Sequence, residues 1–237
     1  MHTKGALFEP IVIGSMEVKN RIVMSSINLA AWGVERVKKF YIERAKGGVG
    51  LIICNLTTIK RESPKSDQMA IEDDSRLPML RDFVNAVHKN GAKVAAQLAA
   101  RPEWKDEREQ RIEVLGPSSV SCSHRRDAPV PRPLSKKDIA YIISEMGTAA
   151  KRAKDAGFDA VELHSFGGSC LLSQFLSPLT NKRRDEYGGT LQNRLRFLVE
   201  IIEKIRLETG DNYPILCRIS GDEFMRSKTE HHGFTRG

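Results

Sequence analysis

Several short apolar runs of the sequence lead to polar side chains that could take part in chemistry. The run at 158–163 ends at His164, and the small residues Gly167 and Gly168 follow closely. Four other runs lead to or carry hydroxyl, amide or guanidinium groups: Ser25, Ser26 and Asn28, then Asn55, then Gln97, then Arg218. These groups make hydrogen bonds, but none is a strong nucleophile. They suit a site where a bound cofactor performs the difficult chemistry and the protein orients it.

Other reaction classes find little support in the sequence. The candidate positions contain no adjacent pair of carboxylates, which argues against glycosidase chemistry. The chain has no Gly-x-Ser-x-Gly motif, so a hydrolase nucleophile elbow is not indicated. Its four cysteines form no Cys-x-x-Cys pair, and no His/Cys/Asp cluster has metal-ligand spacing. We therefore expect no metal site and no iron–sulfur cluster.

The elements that must position these groups alternate between short apolar runs and helical periodicity. The predicted strands are 21–24, 49–54, 92–98, 158–163 and 213–219, and the predicted helices are 34–46, 77–89, 135–156 and 190–208. This alternation predicts an α/β fold with a parallel sheet and right-handed crossovers. The sheet could be doubly wound or closed into a barrel. No Gly-x-Gly-x-x-Gly follows the first run, which counts against a nucleotide-binding doubly wound sheet.

In a parallel barrel the polar strand-end residues all lie on one rim, where active sites are built. The stretch 99–134 contains prolines at 102, 117, 129, 131 and 133. It is therefore predicted to be a long polar loop rather than a helix or a central strand. Loops of this length in compact domains are commonly functional.

Composition narrows the class of protein. The net charge is +8, with basic clusters at 124–126 and 182–184, but only 6% of the residues are aromatic and no nucleic-acid motif is present. We expect the basic clusters to form a solvated surface, with no nucleic-acid partner. No apolar run is long enough to cross a bilayer, and the N-terminal residues 1–10 lack the apolar stretch of a signal peptide. We therefore expect no membrane contact and a cytoplasmic location. Cys54, Cys170 and Cys217 lie in or beside apolar runs and are expected to be buried.

Several blocks of the sequence resemble the old yellow enzyme family of FMN-dependent barrels. The blocks FYIERAKGGVGLII and QFLSPLTNKRRDEYGGTLQNRLRF are the most specific, and LFEPIVIGSMEVKNRIVMSS, AVHKNGAKVAAQL, AAKRAKDAGFDAVELH and PILCRIS add to them. The branch with 2,4-dienoyl-CoA reductase, 2-enoate reductase and the bile-acid NADH:flavin oxidoreductases is the most similar. The resemblance implies an α/β fold of the parallel (β/α)8 TIM-barrel type, truncated to about its first five β/α units. Residues 1–221 would form this partial FMN-binding domain, and 222–237 a disordered tail outside the family pattern.

The resemblance also implies a binding site for FMN. Seven residues would contact the cofactor: Ser25, Ser26, Ile27, Asn28, Asn55, Gln97 and Arg218. Gln97 would bond the pyrimidine side of the flavin, and Arg218 would sit beside N1 and O2, where it stabilises negative charge on the reduced ring. His164, the implied catalytic residue, would grip a carbonyl oxygen of a small-molecule substrate. The implied reaction is hydride transfer to an activated C=C bond, with NAD(P)H as the reductant.

The turn after His164 departs from the family pattern. The family shows a second His or Asn three residues later and then a Tyr, whereas this chain has Gly167 followed by Ser169 and Cys170, which are weaker acids. The last strands of the family barrel would carry the phosphate site for FMN. An alternative prediction is therefore a truncated, non-catalytic paralogue that lacks this site. The expected protein partner is either a second copy of the chain, in a homo-oligomer, or a complementing chain.

Overall fold

The computed structural model describes residues 5–29, 31–62, 65, 67–105, 112–121, 129–168 and 170–223. The strands in these residues are β1 (Ile11–Ile13), β2 (Met16–Val18), β3 (Val23–Met24), β4 (Leu51–Thr57), β5 (Lys93–Ala99), β6 (Glu103–Lys105), β7 (Ile112–Gly116), β8 (Arg132–Pro133), β9 (Ala160–Ser165) and β10 (Ile215–Ile219). The α-helices are α1 (Val34–Lys46), α2 (Leu77–Lys89), α3 (Lys136–Ala156), α4 (Leu171–Leu176) and α5 (Leu191–Thr209).

Five strands form one parallel sheet in the order β3-β4-β5-β9-β10. They correspond to the five predicted strands, and α1, α2, α3 and α5 correspond to the four predicted helices. The order of the strands in the sheet is the same as their order in the sequence. This is expected when successive β/α units are joined by crossovers between neighbouring strands. The predicted parallel α/β sheet is therefore confirmed.

The outer face of this sheet packs under the helices. It presents apolar side chains such as Ile52, Leu56 and Leu163, which join the main core cluster with Phe83 of α2 and Ile142 of α3. All five are fully buried. Burial of this kind stabilises the fold by about 1.5–3 kcal/mol for each large apolar side chain. A continuous apolar layer therefore holds the helices against the outer face of the sheet.

Helix α3 begins and ends with strong local signals. The Ser135 hydroxyl accepts a hydrogen bond from the Asp138 backbone N–H, and the Asp138 carboxylate accepts one from the Ser135 N–H, which together form a capping box. Gly157 ends the helix with a φ of 93°, a left-handed conformation that glycine adopts without strain. The chain then enters β9 only three residues later.

The inner face of the sheet is the face that carries Asn55, Gln97 and Glu162. At the amino end of the strands it is apolar, and the antiparallel hairpin β1–β2 covers it by placing Met16 and Val18 in one cluster with inner-face residues of β4, β5 and β9. Toward the carboxyl end the same face becomes polar. The sequence prediction did not include the hairpin, whose strands have three residues each.

The stretch 99–134 contains a small second sheet that was not predicted. Strands β6 and β7 pair antiparallel and β7 pairs with β8, outside the main sheet. Trp104 of β6 is 2% exposed and meets Tyr141 edge-on, with ring centroids 5.7 Å apart. The described part of this segment therefore packs on α3, and its strands lie outside the central sheet, as the prolines predict.

Two surface predictions need correction. Cys54 and Cys170 are buried as predicted, but Cys217 is exposed because it faces outward from β10 at the edge of the sheet. In the basic cluster at 182–184, the Arg183 side chain is only 11% exposed; it pairs with Asp185 at 2.6 Å and donates to the Leu134 carbonyl at 2.7 Å. The solvated-surface interpretation is therefore wrong for Arg183, which joins loops.

Some predictions fall on residues outside the described ranges, namely the basic cluster at 124–126, Ser169 and the tail beyond residue 223. Within the described ranges, charged side chains interrupt even the longest helix, α3, and none of the helices could cross a bilayer.

Candidate active site

A row of three hydrogen-bonded side chains crosses the inner face near the carboxyl ends of the strands. Asn55 of β4 lies in register with Gln97 of β5, which lies in register with Glu162 of β9. The Asn55 Nδ2 donates to Gln97 Oε1 at 2.9 Å, and the Gln97 Nε2 donates to Glu162 Oε1 at 2.6 Å. Gln97 is 2% and Glu162 7% exposed. Parallel pairing keeps residues in register on one face, so the strands themselves build this row.

Arg101, just beyond β5, extends the row at the Asn55 end. Its Nη2 donates a long hydrogen bond of 3.4 Å to Asn55 Oδ1. The backbone N–H of Arg101 donates to Glu62 Oε1 at 3.0 Å, which anchors the turn. Burial raises the pKa of Glu62 to about 7, although the Arg101 N–H acts in the opposite direction. These two hydrogen bonds hold the backbone and the side chain of Arg101 at the carboxyl edge of the sheet.

His164 lies two residues after Glu162 on the same strand and therefore on the same face. Burial lowers the pKa of His164 below its usual range, and the guanidinium groups of Arg218 and Arg101 lower it further. The imidazole is therefore neutral near pH 7. Its Nδ1 is buried without a partner among the described residues, and a proton there would be an unsatisfied donor. We assign the ring proton to Nε2 on this ground.

Arg218 of β10 lies in register with His164, so the sheet brings these two predicted residues together. Its guanidinium carbon lies 4.8 Å from the ring centroid of Phe166, a cation–π distance that holds the side chain at the rim. The Phe166 ring is also 6.5 Å from the His164 ring. A cation and a neutral imidazole therefore stand side by side on the inner face.

The segment Ser25, Ser26, Ile27 and Asn28 follows β3 at the carboxyl edge of the sheet. Strand β3 pairs in parallel with β4, which carries Asn55. The segment that follows β3 therefore lies toward the carboxyl end of β4. Ile27 is 40% exposed, and Ser25 and Asn28 are exposed as well. The segment thus lies at the same edge of the sheet as the row.

In the described residues of the turn after His164, 165–168 and 170, no side chain is a second acid of the expected kind. Gly167 has a φ of 71° and no side chain to donate a bond. The Cys170 thiol donates to the His164 carbonyl at 2.6 Å, and burial raises its pKa to about 11. Cys170 is thus a structural donor that holds the turn, not an acid presented at the rim.

Glu162 was missed by the sequence prediction. The run 158–163 was interpreted as a short apolar run, yet it contains Glu162, two residues before His164. Residues two apart in a strand share a face. That spacing was the available signal for a carboxyl group beside the predicted histidine.

A cavity of about 710 Å³ lies away from this row. It opens between α5 and the outward-facing side of β10, where Leu198, Cys217 and Ile219 line it. Ile219 is 58% exposed. The cavity therefore belongs to the outer face and does not contain the polar row.

Comparison with known proteins agrees with this architecture. The sequence matches the model of the NADH:flavin oxidoreductase / NADH oxidase family over residues 6–233. A metal reductase from Desulforamulus reducens is 38% identical over 223 residues, which cover 92% of this chain and 33% of that protein. An NADPH dehydrogenase from a Geobacillus species is 37% identical over 225 residues, which cover 92% of this chain and 64% of that protein.

Solved structures show the same fold. An old yellow enzyme from Pichia superposes with a TM-score of 0.78 at 29% identity, covering 91% of this chain and 60% of that one. The chain thus spans between a third and two thirds of the length of these relatives. Its curled five-stranded sheet is the predicted part of a TIM barrel. The chain belongs to the NADH:flavin oxidoreductase / NADH oxidase family.

Proposed function

We propose that the chain is an FMN-dependent NAD(P)H:flavin oxidoreductase that transfers hydride to an activated C=C bond, as in an enone or an enoyl thioester. The observation that carries the proposal is the inner-face row of Asn55, Gln97 and Glu162 beside His164 and Arg218. These polar groups occupy the carboxyl end of a parallel sheet, where barrel enzymes place their active sites.

The chemistry of these residues fits the flavin ring of FMN. The pyrimidine edge of that ring alternates carbonyl oxygens with an imide N–H. Gln97 uses one N–H and one lone pair within the row, and its second N–H and second lone pair can meet a carbonyl and an N–H of a ligand. Asn55 has the same capacity. We therefore propose Gln97 and Asn55 as contacts of the flavin edge, and Ser25, Ser26, Ile27 and Asn28 as contacts along the ring.

Arg218 supplies a permanent positive charge on this face. We propose that its guanidinium donates to flavin N1 and O2 and stabilises negative charge there. The cation–π contact with Phe166 orients the group before a ligand arrives. When bound, FMN would supply the hydride chemistry, with NADH or NADPH as the source of electrons.

His164 is the proposed catalytic residue because it is neutral and carries its proton on Nε2. In that form it donates a hydrogen bond to the carbonyl oxygen of the substrate. This bond withdraws electrons from the conjugated C=C and stabilises the enolate-like charge that develops. Since Gly167 replaces the second donor of the family pattern, the carbonyl would be held by one side chain from this turn.

The relatives support the choice of reductant. One is described as an NADPH dehydrogenase and another as an NADH oxidase, the latter from Thermoanaerobacter brockii at 38% identity over 229 residues. A cytoplasmic location is part of the proposal, because Cys54, Cys170 and Cys217 carry free thiols, as is common in reducing compartments. A second copy of the chain or a complementing chain is the proposed protein partner.

A His164→Leu variant tests the catalytic assignment. Protein loaded with FMN is reduced anaerobically with NADH or NADPH and then mixed with 2-cyclohexenone while the flavin absorbance is followed. We expect the loss of one oxyanion donor to slow reoxidation by about 10²–10³-fold, with the FMN affinity unchanged. Equal reoxidation rates for the two proteins would contradict the role of His164. Wild-type protein that binds FMN but shows no reoxidation by any activated alkene would favour the non-catalytic paralogue, which the missing second donor at Gly167 also suggests.

A further inference from the structure

The inner-face row has a charged group at each end. Arg101 donates to Asn55, Asn55 donates to Gln97, and Gln97 donates to Glu162. All three hydrogen bonds run in the same direction, from a cation to a carboxylate, across the strands β4, β5 and β9. The proposed function uses Gln97 and Asn55, but it assigns nothing to Glu162.

The two ends constrain the amides between them. A guanidinium can only donate hydrogen bonds, and an ionised carboxylate can only accept them. A carboxamide can do either, and it turns around by exchanging its oxygen and nitrogen. With Glu162 ionised, Gln97 must direct Nε2 toward it, and Gln97 Oε1 must then accept from Asn55. The charged ends therefore select one of the two orientations of each amide.

Glu162 is costly to keep at this position. It is 7% exposed on a strand whose other buried residues are mainly apolar, and desolvation disfavours an ionised carboxylate. Burial raises its pKa, while the bond from Gln97 and the charge of Arg218 lower it. Its charged neighbour on the inner face is Arg218 on β10, and neutral His164 follows it on β9, while Arg101 lies at the other end of the row, on Asn55. An apolar residue would fill the position without this cost, so the carboxylate has another role.

We infer that Glu162 is a positioning residue that fixes the orientation of the Gln97 carboxamide toward the imide edge of a bound flavin. The inference rests on the proposed function, because FMN supplies that edge. A fixed amide offers its second N–H and its second lone pair at set positions, so the ligand does not have to select between two orientations. A flipped amide would present a donor to the imide N–H and an acceptor to the carbonyl, and both contacts would be lost.

The orientation can be measured in the ligand-free 237-residue chain. The side-chain NH2 signals of Gln97 are assigned in ¹⁵N-labelled protein by their disappearance in Gln97→Leu. In wild type we expect one of the two protons to be shifted downfield and protected from exchange by the bond to Glu162. Glu162→Gln should remove the downfield shift and speed exchange about tenfold. Glu203→Gln, on the exposed side of α5, is the matched control and should change neither signal.

Titration of wild-type protein gives the same test without a mutation. Protonation of Glu162 removes the charge that selects the amide orientation, so the Gln97 signals should move with the Glu162 carboxyl resonance, at a pKa above the usual range. Gln97 signals that are the same in wild type and Glu162→Gln, or that stay constant through the Glu162 titration, would overturn the inference.

The affinity for FMN, followed by flavin absorbance, tests the consequence. We expect Glu162→Gln to raise the dissociation constant about tenfold and Glu203→Gln to leave it unchanged. Unchanged affinity in Glu162→Gln, with wild type binding FMN, would overturn the positioning role. If wild type binds no FMN, the proposed function fails, and the Gln97 signals decide by themselves whether Glu162 orients the amide.

Discussion

The two faces of the central sheet are built from the same five strands, but one is apolar and the other carries polar and charged side chains. On the outer face, side chains such as Ile52 and Leu163 are buried in the main apolar cluster under the helices. On the inner face, the carboxyl half of the strands carries amides, a carboxylate, an imidazole and a guanidinium. The outer face stabilises the fold through packing, while the cost of the buried polar groups on the inner face fits the proposed flavin site. Substitutions on the two faces should therefore have separable effects.

Phe83→Ala should have the largest effect on stability. Phe83 is fully buried on α2, with ring centroids 5.7 Å from Tyr41 and 6.2 Å from Phe158. Removing the ring leaves a cavity, so we expect the free energy of unfolding to fall by about 3–5 kcal/mol. Urea unfolding followed by circular dichroism measures it. FMN affinity, measured where the variant is folded, should match wild type, and a large loss of affinity there would break the division between the faces.

Arg218→Met should show the opposite pattern. Losing a charge-assisted hydrogen bond should weaken FMN binding by about tenfold or more, since such bonds contribute about 1.5–3 kcal/mol. The free energy of unfolding should change by less than about 1 kcal/mol, because Arg218 lies on the edge strand β10. Arg21→Met, at an exposed arginine before β3, is the control for loss of one positive charge. Equal FMN affinity in both variants would contradict the role of Arg218.

Ser135→Ala should give the smallest effect of the three. The substitution removes the hydroxyl that caps α3 through the Asp138 N–H at 3.2 Å. We expect a loss of about 1 kcal/mol in the free energy of unfolding and no change in FMN affinity. Ser144→Ala, at an exposed position within the same helix, serves as the control and should not destabilise the protein. A change in FMN affinity for Ser135→Ala would show that the outer scaffold is coupled to the inner face.

The sequence was sufficient for the elements that carry a strong periodic signal. The runs at 49–54 and 92–98 are apolar because parallel strands are buried on both faces, and they became β4 and β5. The helical periodicity of 135–156 became α3, whose capping box and terminal glycine agree with those bounds. The register of the strands then placed Asn55 beside Gln97 and His164 beside Arg218, as the common-rim prediction requires.

What the sequence did not reveal depends on contacts between distant segments. Strands β1 and β2 have three residues each, too few for a periodic pattern, and the inner-face cluster with Met16 and Val18 holds them in place. Because the neighbours of Glu162 in β9 are apolar, the sequence analysis did not recognise that Glu162 and His164 share one face of the strand. The pairing of Arg183 with Asp185 and Leu134 turned a basic surface cluster into a loop anchor. These features follow from tertiary packing.

The binding of FMN to the purified 237-residue chain tests the central claim most directly. We predict a saturable shift of the flavin absorbance spectrum at one FMN per chain. In Gln97→Leu this shift should be lost at the same concentrations, under conditions where circular dichroism shows the variant to be folded. The free energy of unfolding of this variant should fall by about 1–3 kcal/mol, because buried Glu162 and Asn55 lose their partner. A spectrum identical to free FMN at saturating protein, or an unchanged shift in Gln97→Leu, would contradict the assignment of the inner face as a flavin site.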